Sequence, residues 1–141
     1  MTWSSRSCLQ AAAIPVRRGQ ICLVTTSSGR RWIVPKGQVP LGISPSLLAA
    51  CEAWEEAGVL GQIDENPLCV FPLSKRGRTQ DVQVFLLEVT RIVNDWPERR
   101  LRQRIWLPPD EAALRIRHES LRALLIGLPH ALGQRWVAKS A

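Results

Sequence analysis

Three glutamates lie close together in "ACEAWEEAGV", residues 50–59 of this 141-residue chain. Glu52, Glu55 and Glu56 are related as i, i+3 and i+4, so on a helix their carboxylates project from one face. Like charges at this spacing repel, and burial raises the cost, so a compensating partner is expected. A divalent cation is one such partner, because Mg²⁺ and Mn²⁺ prefer carboxylate oxygens. The alternative is a solvated helix face, the commoner meaning of an isolated charge cluster.

The length of the chain fits one domain, which we expect to cover residues 1–141. Hydrophobic residues make up 45% and charged residues 22%, which is typical of a globular protein and does not indicate disorder. The net charge of +7 favours attraction to polyanions, and nucleic acids, nucleotides, inositol phosphates and acidic membrane surfaces all qualify.

The four cysteines are far apart in the sequence, and no C-x-x-C pair occurs, which disfavours a zinc site or a redox motif. We interpret them as ordinary buried thiols in a reducing compartment. No apolar run is long enough for a signal peptide core or a membrane span. These features predict a cytoplasmic protein with no membrane attachment. The cysteines are Cys8, Cys22, Cys51 and Cys69.

The positions of turn residues and apolar runs indicate the elements around the glutamates. Residues 8–16 and 20–26 predict a hairpin, and "RWIVPKG" predicts a short extended segment that Pro35 and Gly37 end. A loop is expected from residue 37 to 44. Further elements are expected as strands at 68–73, 82–90 and 103–107 and helices at about 110–115 and 118–127. This order predicts an α/β fold, a mixed sheet with helices on its faces.

The helix that carries the glutamates has clear start and stop signals. Ser44 is a typical N-cap, Pro45 suits the first helical position, and Gly58 is a typical C-terminal stop. Large apolar residues recur near helical spacing, which predicts that they face the core and that the carboxylates lie to one side. These apolar residues are Leu47, Leu48, Cys51 and Trp54.

The run from Pro35 to Val59 resembles the signature of the Nudix hydrolases, with "PKG", a loop and then "EAWEEAGV". With Gly37 as the first glycine of that signature, the glutamates fall on its E-x-x-E-E positions, followed by Gly58 and Val59. Looser similarity in "RRWIVPKG", "VFLLEVT" and "WPERRLRQRIWLPPDEA" extends over about 100 residues toward the diphosphoinositol and diadenosine polyphosphate hydrolase branch. The resemblance implies the Nudix-type α/β/α sandwich with a mixed β-sheet.

The resemblance also implies an activity and a set of site residues. The activity is Mg²⁺- or Mn²⁺-dependent hydrolysis of a pyrophosphate bond, in which metal neutralises phosphate oxygens and positions a water. Glu52 and Glu56 would be metal ligands, Glu55 a ligand or the residue that holds the water, and the Gly37 carbonyl a further ligand. Glu98, with Asp95 as second candidate, is predicted to supply a later acid.

Two positions of the sequence depart from the signature. Ile43 replaces its first glutamate and Cys51 replaces its arginine, two residues that are taken to interact in the family. Loss of one partner from a buried pair would strand a charge, whereas replacing both with apolar residues can be nearly neutral. Our hypothesis is that Ile43 and Cys51 preserve the fold but leave the catalytic carboxylates less firmly positioned. It predicts that Cys51→Arg would destabilise the protein.

Basic residues near the signature are candidates for phosphate binding. Lys36 adjoins it, although a loop lysine is usually solvated, and the turn at 75–78 offers Lys75, Arg76 and Arg78 as substrate-binding residues. Alternate arginines at 100, 102 and 104 either join a basic rim or form the wet side of a strand. His118 and His130 have no partner pattern and are interpreted as structural.

Three functions compete at this point. The first is a pyrophosphohydrolase acting on a nucleotide, a dinucleoside polyphosphate, an inositol pyrophosphate or another phosphorylated small molecule. The second is a Nudix-fold binding or regulatory module for phosphorylated ligands, weakened by the changes at Ile43 and Cys51. The third is a nucleic-acid binder, which the scarcity of aromatic residues in the basic segments disfavours.

Overall fold

The computed structural model describes residues 9–136, so the predicted role of Cys8 lies outside the described residues. The strands are β1 (Leu9–Arg17), β2 (Gln20–Thr25), β3 (Trp32–Ile33), β4 (Lys36–Gln38), β5 (Val59–Ile63), β6 (Cys69–Lys75), β7 (Arg78–Ile92) and β8 (Arg104–Leu107). The helices are α1 (Pro45–Ala57), α2 (Pro109–Arg115) and α3 (Glu119–Leu132). No described helix has the length and apolar character needed to cross a membrane.

The eight strands form a mixed sheet with β1 and β7 at its centre. β1 runs parallel to β7, with Leu9 opposite Asp81 and Val16 opposite Glu88. Every other pairing in the sheet is antiparallel: β2 and β4 pair with β1, β5 and β6 pair with β7, and β3 and β8 pair with β2. The predicted hairpin of β1 and β2 is confirmed, with Arg17 opposite Gln20 across the turn.

Side chains on the two faces of the sheet form two buried layers, because successive residues of a strand point to opposite faces. On β1, Ala12 and Ile14 pack with residues of α2 and α3, whereas Ala11 and Ala13 pack with residues of α1. The result is an α/β/α sandwich, as expected. The leucines of the last helix contribute to the first layer, and this prediction is confirmed for Leu121, Leu124, Leu125 and Leu128.

The face of α1 that packs on the sheet is only partly the one predicted. The buried residues of α1 are small or acidic: Ser46, Ala49, Ala53, Glu56 and Ala57. Leu47 is 54% exposed and Cys51 is exposed, so these two residues face away from the sheet, whereas Leu48 packs against the buried layer as predicted. Alanines at i, i+4 and i+8 leave little side-chain volume between helix and sheet, and this close approach turns Glu56 toward the protein interior.

Enlarging a side chain on the alanine face is expected to be more damaging than truncating the exposed leucine. Ala53 is fully buried, so Ala53→Leu adds volume to a packed layer and should lower the free energy of unfolding by about 3 kcal/mol. Leu47→Ala should change it by less than about 0.5 kcal/mol. Urea denaturation of both variants measures the difference, and equal losses would contradict the observed orientation of α1.

Three local differences from the predicted elements bear on the site. Gly37 does not end the extended segment, because Lys36–Gln38 forms β4 and Gly37 lies opposite Ala11 of β1. β5 was not predicted, since Gly61 interrupts its apolar pattern and lies at a register shift in the pairing with β7. Cys69 is half-buried and Cys51 is exposed, so Cys22 is the one cysteine among residues 9–136 that is buried as predicted.

Candidate active site

The ends of α1 are defined by residues whose local chemistry favours them. Ser44 is the N-cap with extended backbone, although its hydroxyl contacts that of Ser46 and makes no capping bond. Gly58 takes the left-handed conformation at φ +67°, and its N–H donates to the carbonyls of Ala53 and Trp54. The helix therefore ends directly after the three glutamates and holds them in fixed rotational positions.

Glu52 lies against the backbone of β4. A Cβ atom added to Gly37 would be 2.4 Å from Glu52 Oε1, so the absence of a side chain at position 37 leaves room for the carboxylate. Glu52 is half-buried, and burial raises its pKa, as do the nearby charges of Glu55 and Glu98. Gly37 and the first glutamate of the E-x-x-E-E cluster are therefore neighbours in space.

Glu56 is buried, with a relative exposure of 4%. Burial, with a hydrogen bond to Glu52 as a smaller cause, raises its pKa to about 8. Its Oε1 atom is buried without a hydrogen-bond partner in the part of the chain that the structure describes. Without a cation, Glu56 is therefore largely protonated at neutral pH and shares its proton with Glu52.

The other predicted acids lie around this pair at different depths. Glu55 is exposed, and its carbonyl accepts a hydrogen bond from the N–H of Glu98 at 3.0 Å. The Glu98 side chain is close enough to raise the pKa of both Glu52 and Glu56, but it also pairs with Arg102 at 2.7 Å. Asp95 is 88% exposed and pairs with Arg99, so Glu98 is the later acid that lies near the glutamates.

A cavity of about 480 Å³ opens beside Glu56. Its lining includes one carboxylate, from Glu56, and five cationic side chains, those of Arg31, Lys36, Lys75, Arg102 and Arg117. The remaining wall is largely apolar and aromatic. Such a cavity suits a polyanionic ligand, because clustered cations in a low-dielectric wall concentrate negative charge.

The cavity brings together only some of the predicted substrate-binding residues. Lys36 and Lys75 line it, whereas Arg76, in the turn between β6 and β7, and Arg78, at the start of β7, are exposed and do not. Lys36 Nζ donates to Gln10 Oε1 at 3.0 Å, and Gln10 Nε2 donates to Gln80 Oε1 at 2.7 Å. Burial lowers the pKa of Lys36, and this hydrogen-bonded chain fixes its ammonium at the cavity wall.

His118 was interpreted from sequence as structural, and the structure places it in the cavity wall. Its ring lies 4.3 Å from that of Phe71, and its Nδ1 is buried without a partner among the described residues. His118 therefore packs against the core through Phe71 and also faces the cavity.

Two arginines of the segment 100–104 do not form a solvated strand face, and Arg102 lies at the cavity wall, as the basic-rim alternative expected. Arg104 Nη1 donates to the carbonyls of Ala57 and Val93, and its guanidinium lies 4.2 Å from the Trp96 ring centroid. Arg102 lines the cavity. The sequence alternation that suggested a wet strand face missed these contacts, because the partners are distant in sequence.

The hypothesis of a buried apolar pair at Ile43 and Cys51 is wrong. Ile43 is 43% exposed and Cys51 is exposed, so neither residue fills a buried position left by a charged pair. An arginine at position 51 would therefore keep its charge in water. The destabilisation expected for Cys51→Arg no longer follows, and the substitution should be close to neutral.

The donor set at Glu52 and Glu56 fits a hard divalent cation. Within residues 9–136 no three Asp, Glu, His or Cys side chains converge as a complete metal centre. The two carboxylates nevertheless adjoin, and the unpartnered Oε1 of Glu56 offers a buried oxygen ligand. Mg²⁺ keeps several waters and takes only one or two protein carboxylates, so a two-carboxylate site is sufficient.

Gly37→Ala tests the contact between β4 and Glu52. Because the added Cβ would meet the flexible end of Glu52, the carboxylate must move aside, and we expect the Mn²⁺ affinity to fall at least tenfold. The free energy of unfolding should change by less than about 1 kcal/mol, since the three atoms nearest to the methyl group all belong to the flexible side chain of Glu52. Isothermal titration with Mn²⁺ measures the first effect and thermal unfolding the second.

The control for this substitution is Gly127→Ala. Gly127 lies in α3 with nothing within 4 Å of an added Cβ, so the change should stabilise the helix by up to about 1 kcal/mol and leave Mn²⁺ affinity unchanged. Wild-type Mn²⁺ binding by Gly37→Ala would contradict the placement of Glu52 in the cation site.

The fold and the carboxylate-lined cavity define a class of protein, an α/β/α sandwich with an acidic helix beside a cationic cavity. The fold is that of solved Nudix structures. The Ap4A hydrolase of C. elegans superposes with a TM-score of 0.73 at 19% identity, covering 90% of this chain and 99% of the other. A NUDIX hydrolase from Nitrosomonas europaea gives the same TM-score at 18% identity, covering 89% of this chain and 90% of the other.

Sequence comparison places the chain in a family. It is 31% identical over 118 residues to Nudix hydrolase 12, mitochondrial, of Arabidopsis thaliana, covering 78% of this chain and 58% of that protein. It is 34% identical over 99 residues to diphosphoinositol polyphosphate phosphohydrolase 3-alpha of Mus musculus, covering 68% of this chain and 59% of that protein. The chain belongs to the Nudix hydrolase family. It spans less than two thirds of these two relatives. No protein-family model matches it.

Proposed function

We propose that this protein is a Mg²⁺- or Mn²⁺-dependent hydrolase of a pyrophosphate bond in a nucleotide or a polyphosphorylated metabolite. The observation that carries the proposal is the juxtaposition of Glu52 and Glu56 with a cavity lined by five cations. The paired carboxylates suit a divalent metal ion, and the cationic side chains suit phosphate oxygens. Together they match the metal ion and the phosphates of a metal-bound pyrophosphate. The names of the relatives support this reading, since two of them refer to Ap4A and to diphosphoinositol polyphosphate.

Glu52 and Glu56 would hold the cation, and the carbonyl of Gly37 is a further candidate ligand. The cation would neutralise charge on the substrate phosphates and lower the pKa of a bound water. Glu55, exposed on the same helix beside Glu52 and Glu56, would hold or deprotonate the attacking water. Lys36 and Lys75 would bind the phosphates from the cavity wall.

A panel assay with matched substitutions tests the proposal. Release of phosphate, pyrophosphate or nucleotide is measured with diadenosine polyphosphates, nucleoside triphosphates, nucleotide sugars and inositol pyrophosphates, with Mg²⁺ or Mn²⁺. We expect one class to be hydrolysed, and Glu55→Gln to lower kcat by about 10²-fold or more because a general base is lost. Glu65→Gln, which removes an exposed acid elsewhere, should keep wild-type activity. Absence of hydrolysis across the panel would refute the proposal.

The second candidate is a binding module that holds a phosphorylated ligand without turnover. The observation that favours it is the hydrogen bond between Glu52 and Glu56, together with the lack of a third metal-ligating side chain at that point among residues 9–136. This candidate predicts metal-assisted ligand binding by calorimetry and no product with any substrate.

The partner expected for either candidate is a small phosphorylated molecule. An aromatic and apolar wall beside the cations favours a compact ligand over the extended surface that a nucleic acid requires. We place the protein in the cytoplasm because its cysteines suit a reducing compartment.

A further inference from the structure

Arg102 is a cavity-lining cation that the surrounding protein holds in one orientation. Its Nε donates to Glu98 Oε1 at 2.7 Å, and its Nη1 donates to the carbonyl of Thr25 at 2.9 Å. The side chain is only 15% exposed. These two hydrogen bonds, to Glu98 in the turn before β8 and to Thr25 at the end of β2, fix the plane of the guanidinium.

The remaining donors of this guanidinium are not used up by residues that the structure describes. A guanidinium has five N–H donors, and the two bonds to Glu98 and Thr25 use two of them. Nη2 lies 3.8 Å from Glu56 Oε2, which is within ion-pair range but too far for a hydrogen bond. Because Arg102 lines the cavity, Nη2 can donate to an oxygen atom that a ligand brings next to Glu56.

The other cations of the cavity differ from Arg102 in how they are held. Lys36 is fixed by Gln10, but an ammonium is a point donor without the planar fork of a guanidinium. Arg31, Lys75 and Arg117 are exposed, so ordering them on a ligand costs side-chain entropy. Arg102 is therefore the pre-oriented guanidinium nearest to the proposed cation site, and pre-orientation is what makes a donor effective in stabilising a transition state.

We propose that Arg102 is a catalytic residue that donates from Nη2 to a non-bridging phosphate oxygen of the substrate held at Glu56. This inference rests on the proposed function. The oxygen of the attacking water forms the new P–O bond and its proton passes to Glu55, while the bridging P–O bond breaks and the leaving phosphate takes the electron pair. Arg102 transfers no proton and stabilises the negative charge throughout. Glu98 and the Thr25 carbonyl act through Arg102 as positioning groups, which gives Glu98 a role other than metal ligand.

The test replaces Arg102 with Gln and with Lys and measures two quantities in each variant. On the substrate that the wild type hydrolyses, Arg102→Gln is expected to lower kcat by about 10²-fold and to change KM much less. Its Mn²⁺ affinity without substrate should be unchanged or tighter, because a positive charge beside the cation site has been removed. Arg102→Lys keeps the charge without the fork and should retain intermediate kcat.

The matched control is Arg104→Gln. Arg104 is two residues away and hydrogen-bonds the carbonyl of Ala57 at the end of α1, but it does not line the cavity. Its replacement should lower the melting temperature and leave kcat within a few-fold of wild type. The folded fraction of every variant is checked by circular dichroism. If Arg102→Gln does not fold, the kcat of Arg102→Lys is compared with that of the wild type instead.

Two results would overturn the role of Arg102. The first is wild-type kcat in folded Arg102→Gln or, if that variant does not fold, in Arg102→Lys. The second is a loss of kcat matched by an equal loss of Mn²⁺ affinity, which would mean that Arg102 only positions Glu56. A wild-type protein inert on the whole panel refutes the proposed function itself, whereas an active wild type with an unaffected Arg102→Gln refutes only this inference.

Discussion

Glu56→Gln is expected to abolish hydrolysis and, in the absence of metal, to make the protein more stable above neutral pH. The amide keeps the shape of the carboxyl group and can still donate to Glu52, but it cannot carry the charge that a cation needs. We expect kcat to fall by about 10³-fold, and Mn²⁺ to stop raising the melting temperature of the protein. An activity assay and thermal unfolding with and without Mn²⁺ measure both effects.

The stability effect follows from the direction of the pKa shift. The pKa of Glu56 rises from 4.5 in the unfolded chain to about 8 in the fold, so the folded state binds more protons between these values. Stability of the metal-free wild type should therefore be complete below about pH 4.5 and fall as pH rises toward 8. Glu56→Gln removes this fall, and at pH 8 the variant should exceed the wild type by on the order of 3 kcal/mol.

The comparison is made in the presence of a chelator, because a bound cation would stabilise the ionised carboxylate and hide the effect. Glu65→Gln, at an exposed position, should show the same pH dependence as the wild type. If the stability difference between wild type and Glu56→Gln were the same at pH 5 and pH 8, the buried, protonated state of Glu56 would be wrong.

Gly58→Ala is expected to cause a large loss of stability, about equal to that expected for Ala53→Leu. Gly58 has φ +67°, a conformation that costs an alanine about 1 kcal/mol. An added Cβ would also lie 2.7 Å from Trp96 Cβ and 2.8 Å from the carbonyl oxygen of Val93, and the backbone atom cannot move aside cheaply. We expect a total loss of about 3 kcal/mol and a melting temperature lower by roughly 10 °C.

Gly77→Ala separates the two causes. Gly77 has φ +76° but nothing within 4 Å of an added Cβ, so it carries the conformational strain without the clash. Its loss should be about 1 kcal/mol, measured by the same urea denaturation. Equal losses at positions 58 and 77 would show that the contact of Gly58 with Trp96 contributes nothing to stability.

The parts of the structure that could be predicted from sequence are those that local chemistry decides. Ser44, Pro45 and Gly58 define the ends of α1 through capping and backbone conformation, which depend only on neighbouring residues. The spacing of Glu52 and Glu56 likewise places them on one face of any helix. These inferences hold because the interacting groups are within one or two turns of each other.

The parts that could not be predicted depend on partners far away in the sequence. The buried face of α1 is set by how closely the helix approaches the sheet, which favours Ala49 and Ala53 over the larger Leu47. Arg102 reaches the site through contacts with Thr25 and Glu56, and no local pattern marks such pairings. The turn arginines Arg76 and Arg78 looked more suitable, because sequence shows charge but not distance.

The parallel pairing of β1 with β7 also determines when the protein can fold during its synthesis. Leu9 has Asp81 as its neighbour, so β1 waits until the chain has been made as far as Asp81 before its central partner begins to form. Contacts this distant slow folding, and an unpaired apolar strand is open to aggregation in the meantime. Arg102 emerges later still. The ribosome therefore releases nearly the whole described chain before the cavity closes around Glu56, and the nascent protein is expected to depend on chaperones until that point.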